Sequence, residues 1–120
     1  MRLKYLGPLA IGIDHPALLG VDCDGYSPNC FAVEVGPEAG VHGAVIEGDV
    51  LVVDESHSLG HDDLVVVEMD DALYLYKAFR VGARYRLMPL NGGNGLMATA
   101  RMVRGVVVQT KRCSLAKIRA

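Results

Sequence analysis

Tryptophan is absent from this 120-residue chain, and the aromatic complement stops at two Phe and five Tyr. The hydrophobic share is nonetheless 51%, which excludes disorder, so a core must be built mainly from Val, Leu and Ile. Long apolar runs are also missing, and none approaches the ~20 residues that a membrane span requires. The basic start Met1-Arg2-Leu3-Lys4-Tyr5 is followed by Gly7-Pro8 and Asp14, which interrupt any signal-peptide core. Cysteine is scarce. Cys23, Cys30 and Cys113 are odd in number and form no C-x-x-C pair, so free thiols and a cytoplasmic setting are expected. Zinc chelation by Cys23 and Cys30 would need two further ligands, and the nearest His is His15. No cofactor or metal is expected.

An excess of positive charge is lacking too. The net charge is −2, with no broad basic face of the kind that binds nucleic acid. The one basic cluster, Lys111, Arg112, Lys117 and Arg119, reads first as a solvated tail and second as a phosphate-contacting arm. Two consecutive amphipathic helices are absent, which excludes a helix-turn-helix. Direct nucleic-acid binding is therefore not expected, although the tail keeps that reading open.

The length fits one domain. Residues 1–29 read as an irregular N-terminal arm, broken by Gly7, Pro8, Pro16, Gly20, Gly25 and Pro28, with a turn of helix near Pro16 to Leu19. From residue 30 the pattern is that of strands: Cys30 to Val35, Asp49 to Asp54, Asp63 to Met69, Leu73 to Phe79, Arg84 to Met88 and Met102 to Thr110. Asp70-Asp71-Ala72 reads as a hairpin turn and Gly105 as a bulge. Asn91-Gly92-Gly93-Asn94-Gly95 is a flexible loop; it follows no strand-to-helix junction and so is no phosphate cradle. No helical stretch separates the strands, which favours an antiparallel, mostly-β, partly open barrel or sandwich over residues 30–112, with 113–120 a tail.

Five segments in order resemble the catalytic domain of the LexA and UmuD family, the self-cleaving serine-lysine peptidases of the bacterial DNA-damage response. Ile46-Glu47-Gly48-Asp49-Val50-Leu51-Val52-Val53-Asp54 is similar to its "DGDLLIVD", and Gly60-His61-Asp62-Asp63-Leu64-Val65-Val66 to its "HGDIVI". The hairpin from Asp70 to Phe79 resembles the one ending in "TVKKL". Arg86-Leu87-Met88-Pro89-Leu90-Asn91 resembles "LIPMN", and Gly105-Val106-Val107-Val108 the closing "GVVI". The resemblance implies a LexA/UmuD C-terminal-domain-like β fold and a cytoplasmic protein. It also implies partners: a homodimer through the closing strand, and a polymerase, repressor or recombinase filament. The β-branched run Val103, Val106, Val107 and Val108 points the same way, because few later residues remain to cover it and it reads as an uncovered edge strand that a two-fold copy would pair.

The family chemistry pairs a Ser nucleophile with a Lys base, because a hydroxyl is a poor nucleophile until a base takes its proton. A lysine serves only if burial lowers its pKa, which calls for an inward position on a strand. The resemblance places Lys77 there. The family's nucleophile, in a Ser-Gly-x-Ser-Met motif, stands ten residues before the Asp of the "GD" pair, which in this chain is Ala39. Gly40 follows where the family has Met. No Ser or Cys lies between Phe31 and Asp54. Lys77 is thus a relict general base and Ala39 the position of a lost nucleophile. Glu38 lies in the loop of the lost nucleophile, and an approach to Lys77 there would hold the lysine charged. His42 reads as a surface residue. His57, His61, Asp62 and Asp63 read as loop and turn residues. The family's scissile Ala-Gly or Cys-Gly is replaced in the arm by Leu19-Gly20 and Asp24-Gly25.

Two readings follow. The first is a catalytically inactive LexA/UmuD-like (S24 peptidase-like) domain, a pseudoenzyme acting by protein–protein contact in the DNA-damage (SOS) response. The second is an active self-cleaving peptidase with an unrecognised or partner-supplied nucleophile.

Overall fold

The computed structural model describes residues 1–11, 13, 15–18, 27–40, 43–90 and 92–112. Eight strands form one antiparallel sheet: β1 (Arg2–Pro8), β2 (Cys30–Val35), β3 (Val50–Asp54), β4 (Leu64–Met69), β5 (Ala72–Val81), β6 (Arg84–Pro89), β7 (Leu96–Met97) and β8 (Val103–Lys111). Their order is β1-β2-β3-β8-β4-β5-β6-β7, and a further pairing of β1 with β5 closes the first six into a barrel. β6 and β7 continue the sheet past the closure. Among the described residues there is no α-helix, only short 3-10 turns. The mostly-β, antiparallel, barrel-like architecture is the one that the strand spacing predicts.

Alternation explains the closure. Phe31, Val33 and Val35 of β2, Leu51 and Val53 of β3, Val66 of β4 and Leu75 of β5 point into the barrel and pack together. The opposite faces of β2 and β3 carry Cys30, Ala32, Val50 and Val52, and Leu9, Ala17 and Leu18 cover them. Both faces of these strands are therefore buried, which is why they read as continuous β-branched runs and not as half-polar ones. A third cluster of Val65, Val67, Ala78 and Leu87 packs outside β4 to β6.

Three features differ from the sequence reading. Arg2–Pro8 is a full barrel strand paired on both sides, not part of an irregular arm. Gly7 and Pro8, taken as breakers, sit at its end: the register shifts between Tyr5 and Gly7, where Gly7 adopts a φ of 128°, and a Pro is tolerated at a strand terminus. The arm's Pro16–Leu18 is the expected helical turn, in 3-10 form, and it packs on β2 and β3. Leu96–Met97 forms the short strand β7 directly after the glycine-rich loop.

The third difference concerns β8. The sequence reading makes it an uncovered edge, but β8 bridges two strands, pairing with β4 from Val103 to Val106 and with β3 from Val106 to Lys111, so only its second half is paired on one side alone. The bulge expected at Gly105 is present: Val66 faces Gly105 and the next residue, Val67, faces Val103. The β4–β5 hairpin turns on Asp70 and Asp71, both at positive φ (52° and 62°), the two-residue geometry that matches strand twist.

Candidate functional site

The site is built where β2 ends. Gly36 leads into the 3-10 turn Pro37–Ala39, and the Ala39 and Gly40 N–H groups donate to the carbonyls of Gly36 and Pro37. The loop closes at its base, where Val35 N–H donates to Asp49 O (2.8 Å) and Gly48 N–H donates to Val35 O (2.9 Å). Gly40 has φ 72° and ψ −159°, a region open essentially to glycine alone. A Met at position 40 would cost about 1–3 kcal/mol in backbone strain. The loop is thus shaped around the residue that replaces the family's Met.

An ion pair between a buried carboxylate and a half-exposed arginine holds this loop. Asp49 is fully buried, and its carboxylate accepts from Arg112 Nε (2.8 Å) and Nη2 (2.9 Å) and from Ile46 N–H (3.0 Å). Arg112 Nη2 also donates to Ala44 O at 3.2 Å. Hydrogen bonding to Asp49 pushes the Arg112 pKa above its already high ordinary value. Arg112, read from sequence as part of a solvated tail, is therefore a clamp that ties the end of β8 to the loop before β3. No local pattern reveals it, because its partner lies 63 residues away.

Lys77 lies on β5, opposite Leu64 and Met88. It and Ala39 line one cleft of about 490 Å³, together with Val45, Phe79, Met88 and Leu90. The structure thus brings the two sequence-selected residues to the same cleft. Among the described lining residues none carries a hydroxyl or a thiol. Lys77 is less enclosed than a lysine base requires: its side chain is 44% exposed, with Asp62 Oδ1 4.0 Å from Nζ and the Phe79 ring 5.8 Å away. β5 passes the end of the barrel at this point, so the inward direction opens to solvent.

Glu38 does not meet Lys77. Its carboxylate accepts the Arg2 N–H (2.5 Å) and its pKa is lowered, first by its own backbone N–H and then by that of Arg2. Cys30 is no substitute nucleophile. It is buried on the outer face of β2, and burial, with the nearby Asp54 charge, pushes its thiol pKa up. His15 is engaged with Glu34 at 2.6 Å and accepts the Ala17 N–H on its other nitrogen. His61 Nδ1 accepts the Arg80 N–H. Asp63 caps Gly60 N–H at 2.7 Å, and Asp62 takes a positive φ of 68°, so these residues do turn duty. Among the described residues no three His, Cys, Asp or Glu gather as a metal site. Cys23, Cys113, His42, Lys117, Arg119 and the dipeptides Leu19-Gly20 and Asp24-Gly25 lie outside the described residues. No helix among the described residues is long and apolar enough to cross a membrane.

Comparison with known proteins agrees with this architecture. Residues 19–108 match the model of the Peptidase S24-like family. A LexA repressor of Citrifermentans bemidjiense is 29% identical over 98 residues, covering 74% of this chain and 48% of that protein. The chain spans about half the length of this relative.

Proposed function

This chain belongs to the Peptidase S24-like family, and on that premise we propose that it is a non-catalytic member that works by protein–protein contact. The observation that carries the reading is Ala39, which shares the cleft with Lys77 at the place where the resemblance puts a serine. Acyl transfer needs a nucleophile and a base in near-attack geometry. The cleft supplies a half-exposed lysine, and its described lining supplies no hydroxyl or thiol to activate. The resemblance suggests the setting: an accessory or regulatory protein of the DNA-damage response, in the cytoplasm.

Restoring the hydroxyl tests how deep the loss goes. Ala39→Ser is expected to remain uncut during prolonged incubation, because Gly40 shapes the loop and Lys77 stays half exposed beside Asp62. Rapid self-cleavage of Ala39→Ser, seen as two fragments by mass spectrometry, would show that a single substitution silenced an otherwise complete site.

We also propose a homodimer. The edge argument holds for part of the strand: up to Val106 β8 is paired with β4, but beyond it the strand is paired with β3 alone, and there Val108 is 42% exposed, on the strand to which the family resemblance points. Val107 packs against the barrel core, so the informative substitution is Val108→Asp. Sedimentation at micromolar concentration should show a dimer that Val108→Asp converts to a folded monomer. A native monomer would refute the proposal.

A further inference from the structure

Charge is divided along this chain in a way that the net value of −2 conceals. All fourteen Asp and Glu lie within residues 1–71, and ten of the twelve Lys and Arg lie within residues 72–120. The pairing register turns part of this division into a surface. Lys77 is opposite Met88, Phe79 opposite Arg86, Val81 opposite Arg84, and Arg86 opposite Met97. Cross-strand partners share a face, and residues two apart along a strand do so as well, so all of these side chains stand on one face of β5, β6 and β7. On β5 the same face begins at Leu75 inside the barrel core. Beyond Lys77 it leaves the barrel, and β6 and β7 carry it into solvent.

This face is apolar and cationic at once. Val81 is 56% exposed and Met97 41%, while Arg84 and Arg86 are exposed and make no ion pair or side-chain hydrogen bond among the described residues. Arg80, Arg104 and Arg112 are engaged, with Gly82 O, with Glu55 and Glu68, and with Asp49; the Arg2 and Arg101 side chains are unpaired among the described residues as well, but only Arg84 and Arg86 stand together on one face. Among the described residues, the one carboxylate paired to this face is Asp62, beside Lys77. Two unpaired guanidinium groups interleaved with exposed aliphatic side chains, at strand spacing, complement a segment whose alternate residues are carboxylate and apolar. The face is also continuous with the cleft, since Lys77, Phe79 and Met88 belong to both.

We infer that this face docks an acidic, apolar peptide in extended form, lying over β6 and β7 and entering the cleft beside Lys77. The inference rests on the reading that the chain acts by protein contact, and it names the chemistry of the partner. A nucleic-acid strand fits less well. The face offers one ring for stacking, Phe79, and the remainder of the chain is strongly acidic.

The test is fluorescence anisotropy with a labelled peptide of three Leu-Ser-Glu-Ser repeats, which places Leu and Glu on one side of an extended chain. A Leu-Ser-Lys-Ser peptide and an oligo-dT strand serve as comparators. The acidic peptide should bind saturably and the basic one should not. Arg84→Glu combined with Arg86→Glu should weaken binding at least about tenfold, with the melting temperature checked in parallel. The neutral pair Arg84→Gln and Arg86→Gln should weaken it less. Absence of saturable binding, equal binding by both double variants and the native protein, or tighter binding of oligo-dT would overturn the inference. Mass spectrometry of the peptide separates the two levels. Cleaved peptide would refute the non-catalytic reading and leave docking intact, whereas unbound, uncut peptide would refute docking alone.

Discussion

Replacing Gly105 with alanine should cost about 3 kcal/mol of stability and lower the melting temperature by about 10 °C. A Cβ at this position would stand 2.7 Å from Val53 Cγ1 and 2.9 Å from the Asp54 carbonyl oxygen. Neither neighbour yields cheaply. Val53 is fully buried in the barrel core, and Asp54 is backbone on the strand paired with β8. The cost comes from strands forced apart at the bulge where β8 changes partner from β4 to β3, so it should spread through the barrel. Thermal unfolding followed by circular dichroism measures it. A change below about 1 kcal/mol would mean that the bulge relaxes freely and that the β3–β8 contact is looser than described.

Asp49→Ala should be nearly as damaging, at about 2–3 kcal/mol. It removes three hydrogen bonds from a fully buried carboxylate and leaves the Ile46 N–H unpaired. The loss stays below that of breaking an ion pair buried on both sides, because the Arg112 side chain is 47% exposed and can return to water. The functional consequence is local. With the clamp gone, the segment between Gly40 and Asp49 is no longer tied to the end of β8, and it should become the first site of limited proteolysis. Arg112→Lys should give an intermediate effect, since an ammonium cannot reproduce the two-pronged guanidinium contact. An Asp49→Ala protein as stable and as protease-resistant as the native one would remove the clamp from the account.

What the sequence made legible depended on the range of the cause. β2, β3 and β4 were readable because both faces of these strands are buried, so their β-branched runs are uninterrupted. β1 was not, because Gly7-Pro8 punctuates a strand whose register partners, β2 and β5, are remote. The shared cleft of Ala39 and Lys77 was reached by counting from the Gly48-Asp49 pair and the Asp70-Asp71 hairpin, two fixed points that the fold preserves. The exposure of Lys77 was not reachable that way. It follows from β5 outrunning the barrel, which only the closure by β1 defines. Arg112 reads as tail because its partner is far away in sequence, and the pairing of β8 with β4 and then β3 is hidden because both strands precede it by tens of residues. The cationic face on β6 was hidden by summing charge over a chain whose two parts have opposite sign.

The central claim is that this peptidase-family cleft carries out no acyl transfer, and intact-mass spectrometry of the native protein tests it most directly. The protein is held concentrated at alkaline pH, where a lysine base would be most active, with and without a serine-directed covalent inactivator. The account predicts a single species of unchanged mass in both samples, with no fragment and no adduct. Fragments whose masses sum to the whole chain, or an adduct mapping to the Pro37–Ala39 turn or another cleft residue, would contradict it.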